Sequence, residues 1–278
     1  MLQRKREIAG GLKLLKSNKQ FRNSYSGKRC FIIGNGPSLN ALDLSLLRDE
    51  YTFTVNQLSK NTQFPKIKTT FHFWSDSRFF EINKNDDGDL ALLESMKNVK
   101  TEGNSPIVFY SIDAFDLIKK EKLDDLLDIH YFAQCNLTRK KYIQKGKFDM
   151  TKMTANFSTV IHECILCAIY MGFTEIYLLG VDCTGFITTA EAKMRNYTLG
   201  PQYAFEIGDA ERKRLERTNN RFSMKQELKN YFELFEDYEY FSEICKRKGI
   251  KLFNCTPGGL LESIERVDFL SVVGKKDY

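Results

Sequence analysis

The stretch that decides the fold is CFIIGNGPSLNALDLSLLRDEYTFTVNQ, residues 30–57. An apolar run leads directly into GNGPS at residues 34–38, an amphipathic segment with helical character follows, and a second apolar run ends in Asn-Gln at residues 56–57. This order is typical of a strand–turn–helix–strand unit. Because ligands of parallel α/β sheets bind beyond the carboxyl ends of the strands, the two polar corners are candidate parts of a ligand site.

Seven apolar, β-branched or aromatic runs along the chain predict strands. They are Cys30–Ile33, Thr52–Val55, Thr70–Trp74, Ile107–Tyr110, Ile129–Phe132, Ile176–Gly180 and Lys251–Asn254. The two clearest helical patterns cover residues 158–171 and 223–248, and each is followed by a glycine. Strand and helix patterns alternate along the chain, which favours a mostly parallel sheet with helices on both faces. We therefore predict an α/β fold with a single Rossmann-like domain.

Length and composition fit an intracellular protein with one large domain. The 278 residues are enough to bury a sizeable core. No apolar run reaches the roughly 18 residues of a membrane span, and the first residues lack the apolar segment of a signal peptide. The seven scattered cysteines suit a reducing compartment better than a disulfide framework. We expect a cytoplasmic protein.

The net charge of +6 is concentrated near the N-terminus. Residues 1–29 carry nine Lys and Arg side chains against one acid, Glu7. We separate residues 1–27, a basic helical segment, from residues 28–278, the main domain. The basic segment is either a solvated helix or a contact with an anionic membrane surface. It lacks the interleaved aromatic side chains that single-stranded nucleic acid requires, so nucleic acid is not expected as a partner.

The GNGPS corner differs from the common nucleotide motifs. Walker A requires Lys and Ser/Thr after the glycines, and the dinucleotide fingerprint requires a third glycine where Leu39 stands. Gly34 and Gly36 permit a tight turn and a close approach of the backbone, and free amides beyond Pro37 would form an anion site. Asn35 and Asn56 add amide groups at neighbouring strand ends. These residues predict either a mononucleotide site or a turn closed by asparagine hydrogen bonds.

A second corner ends the apolar strand in GFTEIYLLGVDCTGF, residues 172–186. Asp182 stands at the same sheet edge as the first corner, where it serves either as a structural cap or as a group that holds a ribose or takes a proton. The least patterned part of the chain, residues 183–222, follows directly. We call it the lid segment, since long unpatterned segments inside compact domains are usually functional or disordered.

Other candidate motifs favour structural roles. The Cys164-x-x-Cys167 pair lies within a helix and lacks a second pair. The Asp-Gly-Asp at residues 87–89 stands in a polar turn, and no clear pair of strand-end acids is apparent. His72 and His130 fall in strands and are expected to be structural. The sequence predicts no metal site and no cofactor.

Three motifs together resemble a known family. GNGPS, the Asn-Gln pair and MGFTEIYLLGVD at residues 171–182 resemble the bacterial sialyltransferases of glycosyltransferase family 42. They also resemble the wider group with a pterin-diphosphokinase MptE-like domain, which includes motility accessory factors thought to glycosylate flagellin. Residues 249–273 are especially similar to that wider group, and the likeness covers most of residues 28–272. The resemblance implies a Rossmann-like, GT-A-like nucleotide-binding catalytic domain.

The resemblance also implies roles for individual residues. Asn35 and Asn56 would contact a cytidine nucleotide and its sugar, and Tyr203 of Tyr-Ala-Phe would bind the leaving phosphate. A helix-start Ser or Thr that helps to hold the donor falls at Ser158 or Thr159. The complete set of predicted nucleotide-binding residues is Gly34, Asn35, Gly36, Ser38, Asn56, Gln57, Ser158, Thr159 and Tyr203.

The chain departs from the sialyltransferases at the catalytic base. Their base is a His downstream of the phosphate-binding Tyr, whereas this chain has no His after His162. Asp182, together with Tyr203, is therefore the predicted catalytic pair, with a lid glutamate as the alternative base. Where a further phosphate-binding Tyr would follow the Asp, the chain has Cys-Thr, and Tyr197 is a substitute. Arg195 and Arg212 are candidate cations for the leaving group.

The leading hypothesis is a metal-independent glycosyltransferase that uses a nucleotide sugar, such as a CMP-activated sialic acid, to build a bacterial surface glycan (lipopolysaccharide, capsule or O-antigen). Its partners would be the nucleotide-sugar donor and a glycan or lipid-linked acceptor. The basic N-terminus would hold the enzyme peripherally at the inner membrane. A further copy of the chain, in a homo-oligomer, is another candidate partner. The alternatives are a Mg²⁺-dependent diphosphokinase acting on a hydroxymethyl pterin and a binding protein without turnover.

Overall fold

The computed structural model describes residues 13–195, 203–219 and 223–274. Their strands are β1 Arg29–Ile33, β2 Tyr51–Val55, β3 Phe71–Trp74, β4 Ile107–Ser111, β5 Asp128–Phe132, β6 Gln134–Cys135, β7 Thr154–Ala155, β8 Glu175–Leu179 and β9 Lys251–Asn254. Each of the seven predicted strands is present, with ends that differ by at most one residue.

Helices connect the strands. The α-helices of the described residues are α1 Asp87–Lys97, α2 Phe115–Glu121, α3 Arg139–Lys145, α4 Val160–Met171, α5 Gly185–Arg195, α6 Asp209–Asn219, α7 Met224–Lys248 and α8 Phe269–Val273. Short 3₁₀ helices cover Lys16–Phe21, Pro37–Ala41, Leu44–Leu47, Asn56–Lys60, Phe64–Lys66, Ser77–Phe79, Ile112–Ala114 and Leu123–Asp125.

The central sheet has seven strands in the order β5-β4-β3-β2-β1-β8-β9. Every pairing in it is parallel, and Ile32 of β1, for example, lies between Phe53 of β2 and Leu178 of β8. β6 and β7 form a separate two-stranded parallel sheet. The strand order reverses between β1 and β8. The predicted α/β, Rossmann-like fold is confirmed.

Two hydrophobic cores lie on opposite faces of the sheet. Successive residues of a strand point to opposite faces, so Ile32 packs in one core and Phe31 in the other. The first core includes side chains of α4 and α7, such as Cys164, Cys167 and Phe241. The second includes side chains of α1, α2 and α8. Helices therefore cover both faces, and the cysteine pair is core packing, as predicted.

The ends of the two predicted long helices follow from capping residues. Thr159 accepts a hydrogen bond from the amide of Ile161 at the start of α4, and Ser223 caps α7 through the amide of Gln226. Both helices end at a glycine in the left-handed region, Gly172 with φ 91° and the glycine after α7 with φ 70°. These conformations carry little strain only without a Cβ atom.

The segment after GNGPS is not the helix that the amphipathic pattern predicts. The chain forms two short 3₁₀ helices, Pro37–Ala41 and Leu44–Leu47, and Asp43 between them is extended, with φ −88° and ψ 98°. Its carboxylate accepts a hydrogen bond from the amide of Ser45. This local bond replaces the main-chain bonds that a continuous helix would need.

The lid segment contains more structure than its sequence suggests. α5 and α6 both lie inside residues 183–222. Tyr197 and the side chain of Arg195 lie outside the described part of the molecule, as do the first twelve residues of the basic N-terminal segment. None of the helices that the structure describes is both long and apolar enough to cross a membrane.

Candidate functional site

A polar cavity of about 570 Å³ opens at the carboxyl edge of the sheet. Its lining is Asn56, Ser75, Asp76, Ser77, Asp113, Gln134, Cys135, Asn136, Asn156, Phe157, Ser158, Thr159 and Val160. Amides, hydroxyls and two carboxylates dominate this surface, and none of the described residues that line it is Lys or Arg. The volume lies in the range of about 300–1,000 Å³ that is usual for small-molecule sites.

The cavity collects residues from consecutive strand ends. Asn56 follows β2, Ser75 and Asp76 follow β3, and Asp113 lies two residues beyond β4. The remaining lining comes from β6, from the residues after β7 and from the first turn of α4. The sheet therefore brings together polar side chains that are far apart in sequence, at the edge where parallel sheets bind ligands.

Asn56 has a strained backbone that buried hydrogen bonds hold in place. Its φ is 48°, which is uncommon for a residue with a Cβ atom. Its carbonyl oxygen lies 2.9 Å from Nε2 of His72, and Nδ1 of that ring lies 2.7 Å from Oγ1 of Thr54. Burial lowers the pKa of His72 to about 3, so the ring is neutral. The ring therefore donates to Asn56 and accepts from Thr54.

The side chain of Asn56 has an acceptor that the protein does not satisfy. Its Oδ1 atom is buried and has no hydrogen-bond partner in the protein. A buried acceptor without a partner costs about 1–3 kcal/mol. Strained backbones cluster at functional sites, and a buried polar atom without a partner requires an explanation. Asn56 is the predicted site residue with the strongest geometric support.

The first turn of α4 forms another wall. Ser158 and Thr159 line the cavity, and the helix of twelve residues begins at Val160 beside them. The positive end of the helix dipole makes this position favourable for negative charge. The predicted donor-holding residues Ser158 and Thr159 thus lie together with Asn56 in one cavity.

A charged network stands behind Ser158. Oδ2 of Asp237, on α7, lies 3.5 Å from the Ser158 hydroxyl and 3.2 Å from Nε of Arg139 on α3. Burial raises the pKa of Asp237 to about 6, although the guanidinium of Arg139 opposes this shift. The network joins α3 and α7 to the wall of the cavity.

The glycines of GNGPS serve a close contact between the two corners. A Cβ atom on Gly34 would lie 2.5 Å from the carbonyl oxygen of Gly180, and one on Gly36 would lie 1.7 Å from Oδ2 of Asp182. The Gly34 amide donates to Leu179 over 2.8 Å, and the Gly36 amide donates to Gly180 over 2.9 Å. The loop amides at 34 and 36 are thus engaged inside the protein rather than free for an anion.

Asp182 and Ser38 form part of the same contact. The Asp182 carboxylate accepts from the Ser38 hydroxyl over 2.8 Å and from its amide over 3.2 Å. Asp182 is 8% exposed, and neither residue is among those lining the cavity. This geometry gives the pair a structural role, and the catalytic role of Asp182 stays a prediction.

The segment Tyr203–Phe205 packs on the first corner. The Ala204 amide donates to the carbonyl oxygen of Asn35 over 2.9 Å, and Asn61 donates to the carbonyl of Ala204 over 2.6 Å. The rings of Tyr203 and Phe205 stack 5.0 Å apart. Asn35 also has a buried Oδ1 atom without a partner. Asn35 and Tyr203, which the resemblance had linked only through a ligand, are neighbours in the fold.

The surroundings of Tyr203 are charged. Burial raises the pKa of its phenol, and Glu211 adds to this effect, while Arg78 opposes it. Arg78 forms an ion pair with Asp76, which lines the cavity. Tyr203 therefore lies within electrostatic reach of one wall of the cavity.

Gln57 faces α6 instead of the cavity. It is 3% exposed. With its amide oriented to suit both neighbours, it donates to Glu211 over 3.3 Å and accepts from Lys60 over 2.7 Å. Lys60 also pairs with Glu211 over 3.2 Å. Its nucleotide-binding role stays a prediction, and its contacts link β2 to the lid segment.

The Asp-Gly-Asp motif at residues 87–89 belongs to a helix contact. Asp86 caps α1, so the motif forms the first turn of this helix rather than an open turn. A Cβ atom on Gly88 would lie 2.6 Å from the carbonyl of Ala210 on α6. Asp89 pairs with the buried Arg214 over 2.9 Å. The motif therefore joins α1 to the lid segment.

The sequence analysis missed five lining residues with a carboxylate or amide side chain: Asp76, Asp113, Gln134, Asn136 and Asn156. The sequence shows no clear pair of strand-end acids, whereas the cavity contains Asp76 and Asp113, each two residues beyond a strand. Their position after predicted strands was the available signal. Within the described ranges, no group of three or more His, Cys, Asp or Glu side chains has the arrangement of a metal site.

Residues 7–186 match the protein family described as 6-hydroxymethylpterin diphosphokinase MptE-like. This match covers more than half of the sequence. The chain belongs to the MptE-like family. Among solved structures, this MptE-like chain is similar to the sialyltransferase CstII from Campylobacter jejuni in complex with a substrate analogue, cytidine-5'-monophosphate. The similarity has 19% sequence identity, covers 86% of this chain and 87% of that chain, and has a TM-score of 0.43. No curated protein matches the sequence.

Proposed function

We propose that this MptE-like protein is a glycosyltransferase that binds a nucleotide-activated sugar in the cavity and transfers the sugar without a metal ion. The observation that carries the proposal is the cavity wall itself, in which Asn56 presents a buried acceptor beside the start of α4. Amides and hydroxyls suit a base, a ribose and a sugar, and a helix start suits a phosphate.

The donor would lie across the cavity. Asn56 would accept a hydrogen bond from the ribose or base, and Ser158 and Thr159 would hold a phosphate oxygen beside the amides of α4. Asn35 and Tyr203 would complete the site from the first corner. These assignments agree with the roles that the family resemblance implies, and CMP is the nucleotide that the resemblance favours.

Transfer requires a base for the acceptor. The acceptor hydroxyl attacks the anomeric carbon, the bond from this carbon to the phosphate oxygen breaks, and the nucleotide leaves with the electron pair. Tyr203 would donate to the departing phosphate. The sequence predicts Asp182 as the group that takes the acceptor proton, but both oxygens of its carboxylate accept hydrogen bonds from Ser38. Asp113, which lines the cavity and accepts from Ser111 over 3.1 Å, is the better-placed carboxylate.

The acceptor and the location are part of the same proposal. A glycan or lipid-linked acceptor of a surface polysaccharide would reach the site at the cytoplasmic face of the inner membrane. The basic N-terminal segment would bind anionic lipid there, and a lipid-vesicle binding assay with and without residues 1–12 tests this step.

A thermal-shift panel tests the donor. The full chain is heated with CMP, CDP, UMP, UDP, GDP, ADP and ATP, each with Mg²⁺ or with EDTA. A ligand at about 100 times its dissociation constant adds about 2.7 kcal/mol of stability, which for this size shifts Tm by several degrees. Stabilisation by a nucleoside mono- or diphosphate in EDTA supports the proposal, and stabilisation that requires Mg²⁺ contradicts it.

One observation favours a second candidate function. Asp76 and Asp113 stand at two strand ends in the same cavity, and Mg²⁺ is commonly held by one or two carboxylates together with substrate phosphates. The family description names a diphosphokinase, and such an enzyme would move pyrophosphate from ATP to a hydroxymethyl pterin. Stabilisation by ATP only with Mg²⁺ would favour this function. A panel without any response would favour a binding protein that lacks turnover.

A further inference from the structure

A buried carboxyl group lies directly behind the cavity. Glu163, in the first turn of α4, is 0% exposed. Oε2 of Glu163 accepts a hydrogen bond from Nε2 of Gln134 over 3.1 Å, and Gln134 lines the cavity. Glu163 therefore contacts the amide nitrogen of Gln134, a side chain that also lines the cavity.

Thr154 contacts the same carboxyl group. Its Oγ1 atom lies 3.3 Å from Oε1 and 3.2 Å from Oε2 of Glu163, and 3.3 Å from the carbonyl oxygen of Ala133. A threonine hydroxyl has a single proton to donate. If Glu163 is protonated, its O–H donates to Thr154, and the Thr154 hydroxyl is then free to donate to Ala133. The neutral acid thus satisfies every group in this network.

The surroundings support the neutral form. Among the described residues, no Lys or Arg forms an ion pair with Glu163, and burial raises its pKa to about 8 against the hydrogen bonds from Gln134 and Thr154. The adjacent His162 is neutral, because burial lowers its pKa to about 3. The ionisable groups near Glu163 also include Tyr142 and the thiols Cys164 and Cys167. Burial raises the pKa of each, and Glu163 adds to this shift.

We propose that protonated Glu163 is a positioning residue that fixes the amide of Gln134 with its nitrogen inward and its carbonyl oxygen toward the cavity. An amide carries a donor at one end and an acceptor at the other. With Nε2 bound to Glu163, the acceptor end remains for the ligand. Gln134 then selects ligands that present an N–H donor, such as the amino group of cytosine.

This inference rests on the proposed function, because the donor group is assigned to the base of the nucleotide. Uracil has a carbonyl where cytosine has the amino group, so UMP would place one acceptor against another at Gln134. A site that forms a hydrogen bond with one ligand binds an analogue much more weakly when the analogue leaves the buried polar group of the protein unpaired. We expect CMP to bind at least about 10-fold more tightly than UMP.

Titration calorimetry of the full chain with CMP and with UMP tests the inference in four proteins: wild type, Glu163→Gln, Glu163→Leu and Gln134→Leu. Glutamine at 163 keeps a donor for Thr154 and an acceptor for Gln134, so the preference for CMP should survive. Leucine at 163 releases the Gln134 amide, and leucine at 134 removes it. In both leucine variants, the dissociation constants for CMP and UMP should become nearly equal. Gln134→Leu decides the test if Glu163→Leu does not fold.

The outcomes separate the inference from the proposed function. Equal binding of CMP and UMP by the wild type overturns the inference and leaves a nucleotide site in place. Loss of the preference in Glu163→Gln overturns it as well, because an ionised carboxylate would then be required. Retention of the preference in Gln134→Leu assigns selection to another residue. If neither nucleotide binds the wild type, the proposed cytidine donor fails together with the inference.

Discussion

The buried acid Glu163 gives a prediction for stability that needs no ligand. A pKa of about 8 in the folded protein against an ordinary value of 4.5 means that the folded protein keeps a proton that the unfolded chain releases. The free energy of unfolding therefore falls as pH rises from about 4.5 to 8, by about 1.4 kcal/mol per unit within that window. Glu163→Gln removes this contribution to the pH dependence of stability.

The size of the effect follows from the two pKa values. Between pH 5 and pH 7.5, Glu163 should lower the stability of the wild type by about 3 kcal/mol relative to Glu163→Gln. Because the side chain is fully buried, solvent screening does not reduce this number. The buried histidines His72 and His162 lower the free energy of unfolding as pH falls below 6.5, because burial lowers the pKa of each in the folded protein. They are present in both proteins and cancel in the difference.

Urea unfolding at a series of pH values measures this difference. The stability of Glu163→Gln relative to wild type should rise steadily with pH. Glu94→Gln is the matched control for replacing a carboxyl group with an amide, because the Glu94 side chain is 59% exposed, and its pH profile is subtracted from that of Glu163→Gln. Parallel curves for wild type and Glu163→Gln would refute the reasoning, since Glu163 would then have the same protonation in the folded and unfolded states.

Three further predictions concern other parts of the fold. Gly36→Ala should lower Tm by several degrees in a thermal melt, because its Cβ atom would lie 1.7 Å from a carboxylate oxygen, whereas Gly208→Ala, with no atom within 4 Å of its Cβ, should leave Tm nearly unchanged. Arg214→Met should cost about 3–5 kcal/mol in urea unfolding, because it removes the ion pair between two buried side chains, Arg214 and Asp89; an equal cost of Arg214→Met in an Asp89→Asn background would contradict this. Asn56→Gly should abolish nucleotide stabilisation in the thermal-shift assay without lowering the unliganded Tm, because glycine tolerates the φ of 48°; a variant that binds normally would show that the site lies elsewhere.

Most of the fold could be predicted from the sequence. The strands are buried on both faces, so each is a continuous apolar run that stands out from its polar flanks. Capping residues and glycines marked the ends of α4 and α7. The segment after GNGPS could not be predicted, because the hydrogen bond from the Ser45 amide to the Asp43 carboxylate competes with helix formation without changing the hydrophobic pattern.

The site could be predicted only in part. Asn56, Ser158 and Thr159 stood out as polar residues at the ends of apolar elements, and all three line the cavity. Gln134 follows a strand only after a one-residue gap, and its importance depends on Glu163, which is 29 residues away. The sequence predicts that the glycines of the first corner allow a close approach of the backbone. Their partner is the loop after β8, and only the three-dimensional packing shows this.

The most direct test of the proposed function is the release of nucleotide from activated sugars in the absence of metal. The full chain is incubated in EDTA with CMP-, UDP- and GDP-activated sugars, including a CMP-activated sialic acid, and the freed nucleotide is quantified by chromatography. The account predicts that CMP is released from a CMP-sugar and that Asn56→Gly releases much less. No release from any sugar in EDTA, together with formation of AMP from ATP when Mg²⁺ and a hydroxymethyl pterin are supplied, would contradict it.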